Sequence, residues 1–397
     1  MNILIINAGS SSLKFQLLNG KFEPLYKGIV DGIGKEKCFV KYNDKTYKKK
    51  IRNHEQAVKE ALAIIGNIKI NAIGHRVVHG GEKYKDAILI DARVQREIEK
   101  LSELAPLHNP PNLEGIKACK KLLKDVPNIA VFDTAFHQTI PEQAYTYAIP
   151  QKYYKKYGIR RYGFHGTSHK YVADETYRLL GQSNRPGQPP RPGQPPRPGK
   201  KIGKIITCHL GNGSSISAVK NGNCIDTSMG FTPLEGVPMG TRSGSIDPAI
   251  VYYLMEKEGL THDEIDNILN KKSGILAVSG FSNDLRDIWV KAKKKNKHAL
   301  FTLDYMAYKI AMKIGSYAAA LDGIDAITFT AGIGQNAWYL RRDICKYLKH
   351  LGVRLDPQKN RKSKERIYDK ISKVKVFVIK TNEGLQIAKE VKKIINR

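Results

Sequence analysis

Apolar and polar positions along the chain alternate so that short strands and longer helices are expected by turns. Helical spacing, with apolar residues three and four apart, predicts helices at 56–65, 113–123 and 298–320. Strand-like apolar runs are expected at 1–12, 13–18, 70–78, 129–132, 205–209, 216–219, 326–330 and 374–379. Strands that alternate with helices in this way are typical of α/β proteins, so mixed sheets are predicted.

Two of these strands end in the same kind of turn. The strand that begins the chain runs into a Gly-Ser turn before residue 12, and the strand at 205–209 runs into a second such turn at 211–215. Turns built of small residues let backbone N–H groups converge on an anion. The repetition predicts a duplicated architecture with one hairpin opening each half, although two short segments can also resemble each other by chance.

Length and composition indicate a globular protein of two domains. The 397 residues are 41% hydrophobic and 26% charged, and no apolar run approaches the ~20 residues that span a bilayer. The N-terminal pattern lacks the basic region and cleavage site of a signal peptide, so a cytoplasmic location without a membrane partner is expected. The five cysteines are scattered and lack metal-ligand spacing, which favours thiols in a reducing compartment.

The net charge of +30 is compatible with nucleic-acid binding or with the attraction of anionic substrates. The lysines are dispersed in polar stretches without interleaved aromatic residues, which favours a solvated basic surface and no nucleic-acid partner. A nucleic-acid-associated or nucleotide-gated binding protein is the rival interpretation from another functional class.

Residues 185–199 repeat the pattern R-P-G-Q-P-P. Proline at this density lacks the donors for a helix or sheet and favours polyproline II. An inserted Pro-rich loop is predicted over 182–201. A docking site for a proline-recognising partner is the alternative interpretation.

The chemistry begins with the segment G-H-R-V-V-H-G-G at 74–81, which places Arg76 after a short apolar run. A guanidinium fixed at a strand end suits a phosphate or carboxylate. Asp133 and Glu383 also follow strands, where they are candidates for Mg²⁺ binding or, more simply, helix caps. His165, exposed between glycines with His169 four residues on, suits donation to a transferring phosphoryl group better than zinc binding.

The joint pattern resembles the acetate kinase family, which belongs to the actin-like ATPase and sugar-kinase superfamily. The resemblance covers the chain from Met1 to about Ile387. It rests on N-A-G-S-S-S-L-K-F, G-H-R-V-V-H-G-G, E-L-A-P-L-H-N-P-P-N, V-F-D-T-A-F-H-Q, Y-G-F-H-G-T-S-H, H-L-G-N-G-S-S, M-G-T-R-S-G-S-I-D-P and T-A-G-I-G-Q-N. It implies two domains of a duplicated ribonuclease H-like (actin-like ATPase) fold, with mixed sheets and an active-site cleft between them. We expect an N-terminal domain at 1–150, with a C-terminal helix at about 384–397 packed back on it, and a nucleotide-binding domain at 151–383.

The resemblance also implies roles for individual residues. Arg76 and Arg242 would bind acetate and neutralise the phosphoryl oxygens, His165 would stabilise the transition state, and His108 would support it. Asp133 would position the substrate, while Asn7 and Glu383 would lie at the metal. The apolar pocket for the substrate methyl group would comprise Val78, Leu107, Phe164 and Pro233. The nucleotide would be held by Ser10, Ser12, Lys14, His209, Asn212, Gly213, Asp284, Leu285, Arg286, Gly332, Ile333 and Asn336.

The implied reaction is reversible, Mg²⁺-dependent transfer of the ATP γ-phosphoryl group to acetate, in line and without a covalent intermediate. Its products are acetyl phosphate, a compound linked to acetyl-CoA biosynthesis, and ADP. Mn²⁺ would substitute for Mg²⁺, and a homodimer is implied. Kinases of propionate or another short-chain carboxylate are the alternative on the same scaffold.

Three positions depart from the family's usual residues: Gln335 and Gly384 each stand where glutamate is usual, and Lys380 where proline is usual. None is among the residues implied for phosphoryl transfer. Activity is therefore expected to survive, while Gln335 bears on nucleotide preference.

Overall fold

The computed structural model describes residues 1–181 and 203–396 of the chain. The Pro-rich loop predicted at 182–201 lies outside the described residues. The strands, in chain order, are β1 (Ile3–Gly9), β2 (Ser12–Leu18), β3 (Pro24–Asp31), β4 (Phe39–Tyr42), β5 (Lys45–Lys48), β6 (Ala72–Val77), β7 (Ile88–Leu89), β8 (Asn128–Phe132), β9 (Lys204–Leu210), β10 (Ser214–Lys220), β11 (Asn223–Thr227), β12 (Ala326–Thr330) and β13 (Lys375–Val378).

Helices connect and flank these strands. In chain order they are α1 (His54–Ile65), α2 (Ala92–Lys100), α3 (Asn109–Leu122), α4 (Glu142–Tyr145), α5 (Lys152–Tyr157), α6 (Gly166–Leu179), α7 (Ala249–Glu258), α8 (His262–Lys271), α9 (Gly274–Ser279), α10 (Leu285–Lys293), α11 (Lys297–Ala320), α12 (Ala331–Asn336), α13 (Trp338–Tyr347), α14 (Pro357–Arg361) and α15 (Glu383–Ile395). Short 3₁₀ turns lie at Leu101–Glu103, Ala135–Thr139 and Lys349–Leu351.

The chain forms two compact units. Unit 1 comprises Met1–Gln138 together with Asn382–Arg397, and unit 2 comprises Thr139–Thr381. Residues 139–150 group with unit 2, where the Tyr147 hydroxyl accepts a hydrogen bond from the Phe231 amide (2.9 Å) and donates one to Glu235.

Unit 1 is built on an eight-stranded sheet in the order β5-β4-β3-β2-β1-β6-β8-β7. Strand β1 is antiparallel to β2 and parallel to β6, which is in turn parallel to β8. Because successive side chains point to opposite faces of a strand, Leu4 and Ile6 join the core that α1 and α3 cover, while Ile3 and Ile5 join the core that α15 covers. The central strand is therefore apolar from Ile3 to Ile6, and its polar residue, Asn7, lies near the end where the turn begins.

Unit 2 is built on a five-stranded sheet in the order β11-β10-β9-β12-β13. Strand β9 is antiparallel to β10 and parallel to β12, which is parallel to β13. The same order and directions occur in β3-β2-β1-β6-β8 of unit 1. This correspondence confirms the predicted duplication and both predicted hairpins.

One face of the unit 2 sheet is apolar and the other is partly polar. Ile206 and Cys208 of β9 pack with the long helix α11 in a single hydrophobic core. Thr207 and His209, which point to the opposite face, instead form hydrogen bonds with side chains of α6. The five cysteines are buried. Among the described residues, no helix combines the length and apolarity that crossing a membrane requires.

Candidate active site

The first turn, between β1 and β2, is fixed by contacts of buried polar side chains with its backbone carbonyls. Asn112 donates from Nδ2 to the Ala8 carbonyl (2.6 Å), and Nε2 of His54 lies 2.8 Å from the Gly9 carbonyl oxygen. Asn7 pairs across the hairpin with Lys14. Ser10 is exposed at the tip of the turn, and Ser12 begins the returning strand. The predicted residues Asn7, Ser10, Ser12 and Lys14 are thus grouped on one rigid hairpin.

Arg76 lies at the centre of the polar cluster in unit 1. Its Nη2 donates to Oδ2 of Asp133, which directly follows the adjacent strand β8. Its Nη1 lies 3.5 Å from Oδ1 of Asn7, and its Nε lies 3.9 Å from Oε2 of Glu383 at the start of α15. The carboxyl ends of parallel strands meet at one edge of a sheet, which is why residues far apart in sequence converge here.

The charged groups in this cluster shift one another's pKa values. The Asp133 side chain is 1% exposed and that of Arg76 is 18% exposed, so the pair is removed from water. Burial lowers the pKa of Arg76, but Asp133 and Glu383 outweigh it, so the pKa lies above its ordinary value. Burial raises the pKa of Glu383; Arg76 and Lys14 oppose this effect and Asp133 adds to it.

Oxygen donors for a hard cation are present in the same cluster. Glu383 offers a carboxylate and Asn7 an amide oxygen, both beside Arg76. Mg²⁺ takes such donors and commonly uses only one or two protein ligands, with water and phosphate completing its shell. Within the described parts of the chain, no group of three or more His, Cys, Asp and Glu side chains is placed to hold a metal ion. The donor set fits Mg²⁺ held jointly with a phosphate chain.

The segment after Arg76 is fixed by amide side chains of α3. The Val78 amide donates to Oδ1 of Asn112 (3.0 Å), and the His79 amide donates to Oδ1 of Asn109 (3.0 Å). Val78 is buried. His108 precedes α3 as its N-cap residue, and Leu107 before it is 66% exposed. The H-N-P-P-N motif therefore supplies structural support through its two asparagines, a role that the sequence analysis did not assign.

In unit 2, His165 is held at the start of α6 in an unusual backbone conformation. Its φ of 58° and ψ of 26° are left-handed, a region that non-glycine residues rarely occupy and that clusters at functional sites. Its Nδ1 lies 2.8 Å from Oγ of Ser215, and its ring stacks on His209 with 4.2 Å between centroids. The ring is thus fixed on both an edge and a face.

Arg242 and His165 both lie next to the turn between β9 and β10. A Cβ built on Gly213 would lie 3.3 Å from Nε2 of His165, which is a tight contact, and 3.8 Å from Nη1 of Arg242, which is an ordinary one. Asn212 is exposed at the tip of this turn, and its carbonyl accepts a hydrogen bond from the Gly240 amide (3.1 Å). The structure therefore brings Gly213, His165 and Arg242 together.

Within the part of the chain that the structure describes, the Arg242 guanidinium has no carboxylate partner. Its Nη1 donates to the Pro233 carbonyl (3.2 Å), and no acidic side chain lies within ion-pair distance of it in residues 1–181 and 203–396. Burial lowers its pKa below the ordinary value. Phe164, adjacent to His165, is buried. An uncompensated, partly buried cation of this kind is suited to an anionic ligand.

The residues predicted to surround adenosine lie in two segments of unit 2. Asp284 caps α10 by accepting from the Arg286 amide (2.8 Å), and its carboxylate also pairs with the Arg286 side chain. Gly332, Ile333 and Asn336 lie on the short helix α12, where Asn336 donates from Nδ2 to the Gly332 carbonyl (2.8 Å).

Two residues that the sequence analysis missed organise these segments. The buried hydroxyl of Tyr339 on α13 donates to the Leu285 carbonyl (3.1 Å). The buried Arg341 donates from Nη1 to the carbonyls of Gly334 (2.7 Å) and Gln335 (2.8 Å), at the C-terminal end of α12. Arg341 stands beside a second arginine and an aspartate in α13, so no sequence pattern distinguished it from a surface residue.

The departure at Gly384 has a local structural reason. A Cβ built there would lie 2.3 Å from Oε1 of Gln16 on β2. A glutamate at this position would therefore require Gln16 to move.

A pair of matching α/β units, each with a Gly-rich turn beside an arginine, defines a phosphate-handling enzyme of duplicated fold. The model of the acetokinase family matches residues 2–389. The chain belongs to that family.

Relatives agree with this assignment over their full length. The acetate kinase of Thermotoga maritima is 51% identical, with 100% of this chain and 99% of the relative covered. Among solved structures, the acetate kinase of Porphyromonas gingivalis has a TM-score of 0.91 at 39% identity, covering 99% of each chain. The propionate kinase of Francisella tularensis has a TM-score of 0.90 at 40% identity, also covering 99% of each chain.

Proposed function

We propose that this protein catalyses reversible transfer of the γ-phosphoryl group of ATP to acetate, giving acetyl phosphate and ADP. The observation that carries the proposal is Arg242, a partly buried guanidinium beside Gly213 and His165 that pairs with no carboxylate of residues 1–181 and 203–396. Such a group stabilises an anion without competition from the protein's own acids. The family supplies the identity of that anion.

Each unit contributes a different part of the chemistry. In unit 1, Asp133 holds Arg76 in a fixed orientation, with Asn7 and Glu383 nearby. In unit 2, the turn at Asn212 and Gly213 offers backbone N–H groups to phosphate oxygens. These residues would bind acetate and the phosphate chain, while Asp284, Leu285, Arg286, Gly332, Ile333 and Asn336 would hold the nucleoside.

The chemistry needs positioning and charge neutralisation more than it needs a base. A carboxylate is already a nucleophile at neutral pH, so the difficulty is to bring two anions together. Arg76, Arg242 and His165 would neutralise charge on the transferring group, which passes through a loose, in-line transition state. Nothing in this scheme requires a covalent enzyme intermediate.

Asn7 and Glu383 would hold Mg²⁺ together with the phosphate chain. When bound, the cation would neutralise phosphate charge and orient the β- and γ-phosphates. Mn²⁺, which takes similar oxygen donors, would substitute for it.

Acetate would be selected by the buried side chains of Val78 and Phe164, with Leu107 and Pro233 completing the pocket. One methylene is worth only ~1–3 kcal/mol in such a pocket, so propionate would be a poorer substrate without being excluded. The 40% identical propionate kinase structure keeps propionate as the second candidate.

The protein would act as a homodimer in the cytoplasm. Helix α7 is apolar in sequence but has no buried residue, and Tyr252 and Tyr253 on it are 72% and 60% exposed. Exposed apolar surface of this kind marks protein–protein interfaces.

The proposal is tested by incubating the protein with ATP, Mg²⁺ and hydroxylamine, with acetate, propionate or butyrate in parallel. Hydroxylamine traps acyl phosphates as coloured hydroxamates. We expect strong product formation from acetate, less from propionate and little from butyrate. Faster product formation from a longer acid would make that acid the preferred substrate in place of acetate. No product from any acid would refute the proposed activity.

A further inference from the structure

A chain of four side chains connects the interior of unit 2 to His165. Nδ1 of His165 lies 2.8 Å from Oγ of Ser215, and the same Oγ lies 2.7 Å from Nε2 of His169. Nδ1 of His169 lies 2.7 Å from Oγ1 of Thr207. Ser215, His169 and Thr207 are each 0% exposed. We call this chain of hydrogen bonds the Thr207–His165 relay.

Hydrogen counting allows two continuous directions for the relay, besides an arrangement in which both imidazoles donate to Ser215. Each hydroxyl has one hydrogen to donate, and each neutral imidazole carries one N–H. If Thr207 donates to Nδ1 of His169, then His169 donates from Nε2 to Ser215, and Ser215 donates to Nδ1 of His165. In the opposite direction, every hydrogen lies on the other partner and Thr207 must donate elsewhere.

The distances favour the first direction. Among the described residues, the other acceptor near the Thr207 hydroxyl is the Ser217 carbonyl at 3.5 Å, which is long for an O–H···O bond. The contact to His169 at 2.7 Å is of ordinary hydrogen-bond length. The hydroxyl hydrogen of Thr207 is therefore better directed at His169, so His169 donates from Nε2 to Ser215. The Ser215 hydroxyl is buried and needs an acceptor for its own hydrogen, and Nδ1 of His165 at 2.8 Å is the acceptor that it contacts among the described residues.

The direction decides what His165 presents to a ligand. When Nδ1 accepts from Ser215, the neutral imidazole carries its hydrogen on Nε2. That nitrogen lies 3.3 Å from the Cβ position of Gly213, on the side of the ring where Nη1 of Arg242 also approaches. In the opposite direction, the neutral ring would present a lone pair there, which would repel an anion.

We propose that Ser215, His169 and Thr207 are positioning residues that fix the tautomer of His165, so that the neutral imidazole donates a hydrogen bond from Nε2 to the transferring phosphoryl group. This inference rests on the proposed function for its catalytic consequence, but the tautomer can be measured without it. His165 then needs no proton uptake to act as a donor.

The stacked neighbour, His209, provides an internal comparison. Its Nδ1 lies 2.7 Å from Oγ of Ser168, and that hydroxyl donates to Oγ1 of Thr381 (2.9 Å). Since the Ser168 hydrogen is used for Thr381, His209 must donate from Nδ1. The two stacked rings should therefore be opposite tautomers.

The kinetic test removes the hydroxyl at the far end of the relay. Thr207→Val keeps the side-chain shape but cannot donate to His169, and Thr207→Ser keeps the donor. Ser217→Ala is the matched control, because its hydroxyl contacts Thr227 on the same sheet and not His165. Losing one donor to a developing charge costs about 100- to 1,000-fold in kcat. Because Thr207 acts through two intermediates, we expect about a 10- to 100-fold loss for Thr207→Val, with the KM for ATP and acetate little changed.

The structural test reads the tautomers directly by ¹⁵N NMR of histidine-labelled protein at a pH where the rings are neutral, with signals assigned by comparison with His165→Gln and His209→Gln. We expect a protonated Nε2 for His165 and a protonated Nδ1 for His209. Wild-type kcat in Thr207→Val, failure of Thr207→Ser to restore kcat, or an Nδ1-protonated His165 in the wild type would each overturn the proposal. If the wild type forms no acyl phosphate, the proposed function fails, and the NMR result alone still decides the tautomer. If Thr207→Val does not fold, the tautomer measured by NMR in the wild type still tests the proposal.

Discussion

The two arginines proposed to act on the substrate should differ sharply in what they contribute to stability. Arg76 is paired with Asp133, whose side chain is 1% exposed, whereas Arg242 contacts the Pro233 carbonyl and the Met239 sulfur and has a pKa lowered by burial. Removing one partner of a buried pair leaves an uncompensated charge and costs about 3–5 kcal/mol. Losing a single hydrogen bond costs about 1 kcal/mol. We therefore expect Arg76→Ala to lower the free energy of unfolding of unit 1 by about 3–5 kcal/mol. Arg242→Ala should lower that of unit 2 by about 1 kcal/mol or less.

The two units can be followed separately. Both tryptophans, Trp289 and Trp338, lie in unit 2, so their fluorescence during urea unfolding reports that unit. Hydrogen exchange of amides in β1 and β6 reports unit 1. Both variants should lose kcat by orders of magnitude in the hydroxylamine assay, since each removes charge stabilisation proposed for the same transferring group.

A second substitution checks the cause of the destabilisation. Adding Asp133→Asn to Arg76→Ala removes the uncompensated charge at nearly constant shape, and it should restore about 2 kcal/mol or more of the lost stability. Equal stability losses in Arg76→Ala and Arg242→Ala, or further destabilisation on adding Asp133→Asn, would refute the reasoning.

Three further predictions concern the proposed nucleotide turn, the buried His75 and the proposed substrate pocket. Gly240→Ala should raise the KM for ATP, because the new Cβ would lie 2.1 Å from Oδ1 of Asn212; Gly315→Ala, with nothing within 4 Å, is the control and should leave that KM unchanged. His75 is 1% exposed and burial lowers its pKa from 6.5 to about 4, so its contribution to stability is complete above pH 6.5 and is lost as the pH falls towards 4. Urea unfolding should show a loss of about 2 kcal/mol from this residue between pH 6.5 and pH 5, and an unchanged pH dependence in His75→Gln would contradict this. Val78→Ala should raise kcat/KM for propionate relative to acetate by widening the pocket, and an unchanged ratio would remove Val78 from substrate selection.

The sequence was sufficient to predict the elements that carry the candidate site. Both hairpins are apolar on their strands and Gly-Ser-rich at their turns, and helix α11 (Lys297–Ala320) occurs where spacing predicted a helix at 298–320. Arg76 and Asp133 could be placed at strand ends from the apolar runs before them. Because β6 and β8 are parallel neighbours, that placement already implies their proximity.

What the sequence pattern could not supply is pairing between distant polar residues. Glu383 follows Arg76 by more than three hundred positions, and its approach depends on α15 packing back on the sheet of unit 1. The pattern H-x-x-x-H placed His169 four residues after His165, but the Ser215 hydroxyl that joins them comes from strand β10. Such contacts depend on sheet order and register, which local periodicity does not encode.

The most direct test of the central claim is ³¹P NMR of ATP, Mg²⁺ and the protein, with and without acetate. The account predicts that the γ-phosphorus signal of ATP declines only when acetate is present, and that an acetyl phosphate signal grows in equal amount. Release of inorganic phosphate without acetate, or ATP consumption without acetyl phosphate, would contradict transfer to the carboxylate.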